Sequence, residues 1–182
     1  MSDLSNYVNA VRQNKRDAFM ELYPFPFLLL KLEEPKRMAA PESSPGSDWS
    51  GSTQITVNMA KTSSFAVLRH NASLYRIYPV VSREPQGEQQ TVTLGRLASN
   101  DIVIAEASIS KVHASFALEP GNDATITDLG SRNGTTVNGR RIPPHTPFPI
   151  AFGDPIVVGG VAVMLIGAGA LWEIIAAQIK GF

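Results

Sequence analysis

The 182-residue chain is predicted to be mainly β, a sandwich or barrel of short strands carrying a helical extension at each end. Three observations predict this. From about Ser64 onward, short runs rich in Val, Ile, Thr and aromatic residues alternate with Gly, Asn and Pro. Ahead of them, Leu4, Tyr7, Val8, Val11, Ala18, Phe19 and Leu22 recur mostly at steps of three or four residues. After them, Leu171, Ile174, Ile175 and Ile179 fall on one helical face.

Taken in order, residues 1–32 read as an amphipathic helix over Leu4–Leu22 followed by an apolar segment. Ser2 or Asp3 can cap the helix, and Pro24 and Pro26 end it, because proline supplies no backbone N–H and its ring clashes with the preceding turn. Phe27–Leu30 is apolar throughout and must pack against something. Residues 33–62 read as a linker, since Pro, Ser and Gly offer little apolar surface to bury. Residues 63–168 form the sandwich. Its expected strands are Ala66–Leu68, Leu74–Val80, Thr91–Leu94, Ile102–Ile104, Ala114–Leu118, Thr125–Asp128, Thr136–Val137, Phe148–Ile150, Pro155–Val158 and Ala162–Ile166. Asn133–Gly134 and Asn138–Gly139 read as hairpin turns. Residues 169–182 are the terminal helix, docked on the sandwich or on the first helix.

Composition narrows the function classes. Lys+Arg and Asp+Glu balance at 16 each, so no charge excess points to nucleic acid or an acidic membrane. The chain has no cysteine, which excludes disulfides, thiolate zinc sites and a cysteine nucleophile. Its start lacks a basic stretch followed by an apolar run, so no secretory signal is expected and the expected location is cytoplasmic. Pro155–Trp172 is uncharged and long enough to span a bilayer, but its glycines and β-branched residues favour two buried strands joined at Gly159–Gly160, then a helix. No membrane span is expected. There is no Walker-type loop, no G-x-S-x-G elbow and no metal-ligand spacing, so neither an enzyme nor a cofactor or metal is expected.

Three loop segments carry polar groups with no apolar purpose: Gly95–Arg96 followed by Asn100–Asp101, then Ser108–Ala114, then Asp128–Gly139. Guanidinium, hydroxyl, amide and backbone N–H donors together suit a tetrahedral dianion. Charge-assisted bonds and the fork of arginine favour phosphate over a carboxylate. In sequence the segments read G-R-x3-N-D-I-V-I, S-x-x-H and D-x-x-S-x-N-G-T-x-V-N-G. In this they resemble the forkhead-associated (FHA) domain over about residues 66–166, and the expected source is bacterial.

The resemblance implies an eleven-stranded β-sandwich whose apical loops bind phosphothreonine peptides. It implies that Arg96 pairs with the phosphate, that Ser110 hydrogen-bonds it and that Lys111 and Arg132 assist. Asn133 would bond the peptide main chain and set its register. Gly95, His113, Gly134, Asn138 and Gly139 match positions that shape loops, and a bracing role suits His113 better than a catalytic or metal-binding one. Ser108 falls where some members read the residue three places after the phosphothreonine. Being small and neutral, it implies no strong preference for an acidic residue there. The implied function is a phosphothreonine-dependent adaptor whose partner is a Ser/Thr kinase or its substrate. An alternative is an assembly subunit, in a secretion- or envelope-associated complex, that uses the sandwich as scaffold and the terminal helices as contacts or for self-association. A third reading is self-regulation by a phosphorylated threonine of the linker, such as Thr53, Thr56 or Thr62.

Overall fold

The computed structural model describes residues 4–13, 15–31, 75–83, 90–118 and 124–179. The linker at 33–62, the candidate strand Ala66–Leu68 and the linker threonines lie outside these residues. In chain order the elements are α1 (Leu4–Gln13), α2 (Arg16–Leu22), β1 (Phe27–Lys31), β2 (Tyr75–Pro79), β3 (Gln90–Gly95), β4 (Ile102–Val103) and β5 (Ala114–Leu118). There follow β6 (Ala124–Asp128), β7 (Thr135–Val137), β8 (Arg140–Arg141), β9 (Phe148–Ile150), β10 (Pro155–Val158), β11 (Val161–Ile166) and α3 (Ala168–Ile179).

Among the described residues the strands form two sheets, one of six in the order β2-β1-β11-β10-β7-β8 and one of five in the order β4-β3-β5-β6-β9. The expected sandwich is present. Its core lies between the sheets. Val92, Leu94, Phe116 and Ile126 of the five-stranded sheet meet Leu28, Leu30, Tyr78, Val158 and Leu165 of the other. Alternation along each strand explains the division, because successive side chains point to opposite faces.

Phe27–Lys31 corrects the sequence reading. It belongs to the sandwich, not to the N-terminal helical segment, and it pairs antiparallel with β2 and with β11. Leu28 and Leu30 face the inter-sheet core, while Phe27 and Leu29 face a second core on the outer side of the six-stranded sheet. Covered on both faces, Phe27–Leu30 is apolar at every position, so it carries no two-residue period to read.

The second core is roofed by the three helices of the described residues. Tyr7 and Val11 of α1, Phe19 of α2 and Leu171, Ile174 and Ile175 of α3 pack with Ile77, Met164 and Ile166 of the sheet. Aromatic edges fit into it: the rings of Tyr7 and Phe27 sit 5.3 Å apart at 83°, a geometry that the quadrupoles of aromatic rings favour. The single helix expected over Leu4–Leu22 is two. The polar run from Arg12 to Asp17 interrupts the apolar stripe, and Lys15 is extended. The break lets α1 and α2 each turn an apolar face onto α3 and the sheet. Among the described residues no helix is long and apolar enough to cross a membrane. Pro155–Ile166 forms a hairpin closed at Gly159–Gly160, as the sequence implied.

Candidate functional site

β3 and β6 end, and β5, β7 and β11 begin, at one edge of the sandwich, so the loops 96–101, 104–113 and 129–134 gather there. Arg96, Ser108, Ser110, Lys111 and Arg132 line a single open cleft of about 330 Å³ together with Ala107, Ile109 and Val112.

Backbone bonds hold the first two loops together. Arg96 N–H donates to the Ser110 carbonyl at 3.0 Å, and Leu97 N–H donates to the Lys111 carbonyl at 3.1 Å. The buried Asn100 amide ties the same corner, donating to the carbonyls of Leu97 and Lys111, each at 2.8 Å. Gly95 is required here by space. A β-carbon on it would collide with the Lys111 carbonyl and the Asn100 side chain. Arg96 is anchored by its Nε–H on the Ile109 carbonyl at 3.3 Å, which leaves both terminal amino groups of the guanidinium for a ligand.

His113 joins the second loop to the third. It is fully buried. Its Nδ1 accepts from the Ser110 N–H at 3.1 Å, so the ring proton sits on Nε2, which donates to the Gly134 carbonyl at 3.3 Å. Burial pulls the imidazole below the usual histidine range, and the Gly134 bond and the Asp128 carboxylate only partly oppose it. His113 is therefore neutral near pH 7, and its approach to Asp128 at 3.9 Å is no ion pair. The ring thus links the second loop to the third through two hydrogen bonds.

Asp128 shapes the third loop from within. One carboxylate oxygen accepts from the N–H groups of Gly130 and Ser131, at 3.0 and 2.8 Å. The other accepts from the hydroxyls of Ser131 and Thr135, at 2.8 and 2.7 Å. Burial alone raises its pKa, but the bonds from Ser131 and Thr135 outweigh that and hold it below the usual carboxylate range. The loop so formed crosses from one sheet to the other, because β6 and β7 belong to different sheets. The Asn133–Gly134 turn is thus a crossover and not the expected hairpin. Asn138–Gly139 does close a hairpin between β7 and β8, with both residues at positive φ, 52° and 76°.

Donors are left facing out. The Ser110 hydroxyl accepts from the Arg132 N–H at 3.0 Å and keeps its own proton to donate. Asn133 spends one amide proton on the Ser108 carbonyl at 2.7 Å and keeps its carbonyl and second N–H. Among the described residues no carboxylate pairs with Arg96, Lys111 or Arg132.

Asn100 and Asp128 stand within the sequence motifs, but the sequence alone assigns them no task. The signal available was a short polar side chain beside a strand end. In the sequence Gly159 reads only as a strand joint. Gly159 N–H donates to the Gly134 carbonyl at 3.0 Å, and a β-carbon there would strike the Ser108 carbonyl. The Arg141 guanidinium lies where a β-carbon on Gly134 would stand.

Residues 92–159 match the family model of the FHA domain. The chain contains an FHA domain. Relatives include the E3 ubiquitin-protein ligase rnf8 of Danio rerio, 38% identical over 76 residues, covering 40% of this chain and 16% of the ligase. The glycogen accumulation regulator GarA of Mycolicibacterium smegmatis is 35% identical over 86 residues, covering 44% of this chain and 52% of the regulator. The chain thus spans only part of the length of these relatives, from 16% of the ligase to about half of the regulator. Among solved structures, the FHA domain of a Chlamydia trachomatis protein aligns with a TM-score of 0.47 at 21% identity, covering 78% of this chain and 96% of that one. The FHA match spans the three loops of the cleft and begins and ends inside the sandwich, leaving the helices and β1 outside it.

Proposed function

We propose that the FHA domain binds a partner segment carrying a phosphorylated threonine, and that the chain is a non-enzymatic, cytoplasmic adaptor in Ser/Thr kinase signalling. The observation that carries this reading is the cleft itself. Three cations, none neutralised by a described carboxylate, share it with a hydroxyl that retains its proton. A dianion with three acceptor oxygens meets that set better than a carboxylate does.

In this reading Arg96 provides the main charge-assisted contact, with Ser110, Lys111 and Arg132 closing around the phosphate. Asn133 holds the peptide main chain, and Ser108 borders the residues that follow. The partner is a Ser/Thr kinase or a kinase substrate. Lysate treated to preserve phosphorylation should yield phosphothreonine proteins on wild-type bait and lose them on Arg96→Ala. Equal recovery on both baits would contradict the proposal.

The assembly reading keeps one observation. Met20 and Leu22 on α2 remain exposed, at 37% and 58%, although the helices otherwise spend their apolar faces on the sheet. Replacing both with Ser tests it. A lost cellular role with intact phosphopeptide binding favours a contact made by the helices.

A further inference from the structure

Four large apolar side chains stand exposed among the described residues, and two of them, at 43% exposure each, are Val112, which lines the cationic cleft, and Leu97, the residue after the cleft's Arg96. Val112 lines the cleft directly, between Lys111 and the buried His113. Leu97 follows Arg96 and is held to the same place by its N–H on the Lys111 carbonyl. Neither side chain belongs to the core between the sheets. Each directly follows a cation of the cleft in sequence, Arg96 in one case and Lys111 in the other. Both lie on the loops that carry Arg96 and Lys111, whereas Asn133 and Arg132 come from the third loop.

We propose that Leu97 and Val112 form an apolar shelf that reads an aliphatic side chain flanking the phosphothreonine of the partner segment. The inference rests on the phosphate reading above and adds a preference to it. A phosphate bound by Arg96 and Lys111 brings the neighbouring peptide residues close to the side chains that directly follow these two cations, one of which lines the cleft itself. Covering them removes apolar area from water at the moment of binding. A polar neighbour leaves them wet. Val, Ile or Leu at the matching position should therefore raise affinity roughly tenfold over Ser or Asp.

The test is a phosphothreonine peptide library randomised at the four positions on either side. Wild type should enrich Val, Ile or Leu at one position. The double variant Leu97→Ser/Val112→Ser, checked for an unchanged melting temperature, should bind aliphatic and Ser versions of that position within about twofold of each other. It should still prefer phosphorylated to unphosphorylated peptide. An aliphatic preference that persists in the double variant, or that wild type never shows while binding phosphopeptides, overturns the shelf. Failure of wild type to retain any phosphorylated peptide over its unphosphorylated form instead overturns the phosphate reading beneath it.

Discussion

His113 shows what a single residue does here. One ring nitrogen accepts from the Ser110 N–H and the other donates to the Gly134 carbonyl, so two loops of the cleft are fastened through one neutral, buried ring. His113→Ala removes both bonds and leaves a cavity, at a cost of roughly 2–4 kcal/mol in urea unfolding. The pH dependence follows from its lowered pKa. An unfolded histidine protonates near ~6.5, while the folded one stays neutral to lower pH. Between those values the unfolded state holds the extra proton, so stability falls as pH falls below ~6.5, by at most about 1.4 kcal/mol per pH unit. Asp128 and Asp101 act lower down. Their carboxylates remain ionised in the fold below the ordinary ~3.9. Their contribution is present above that value and lost as pH falls through the folded pKa values. Denaturant midpoints between pH 7 and pH 3 should decline in two stages, and His113→Gln should flatten the first. An unchanged midpoint from pH 7 to pH 5 in wild type would contradict the assignment.

At the scale of elements, β1 decides how the chain can be cut. It lies between β2 and β11 and contributes to both cores. Deleting residues 1–35 therefore removes a central strand along with the helices, and the truncated chain should lose its cooperative thermal transition. A truncated protein that melts cooperatively at the wild-type temperature would show that β1 is dispensable. The same strand shows why part of the fold was not legible. The strands that alternate or sit between turn residues, such as Ala114–Leu118 and Phe148–Ile150, were read with their observed bounds. Phe27–Leu30 was recognised as apolar but not as a strand, because burial on both faces erases the period. Arg140–Arg141 was missed for the opposite reason: both residues of this short edge strand are exposed. The candidate site was more legible than its supports. Arg96, Ser110, Lys111 and Arg132 announce themselves as donors without apolar use. The tasks of Asn100, Asp128 and Gly159 depend on partners that only the folded chain brings near.

At the scale of the molecule, the two faces of the six-stranded sheet do different work. One closes the sandwich, and the other carries a helical roof fastened by Phe27, Leu29, Met164 and Ile166. The cleft sits at an edge, on loops fixed from below by buried polar groups. Its donors are therefore placed before a ligand arrives, which lowers the entropy lost on binding. Charge-assisted bonds of ~1.5–3 kcal/mol each would make the phosphate the dominant source of affinity. The most direct measurement is calorimetric titration of the whole chain with one partner peptide in three forms: phosphothreonine, phosphoserine and unmodified threonine. The account predicts binding that requires phosphate and falls at least about a hundredfold in Arg96→Ala. Equal affinity for the phosphorylated and unmodified peptides, or an Arg96→Ala variant that binds like wild type, would contradict it.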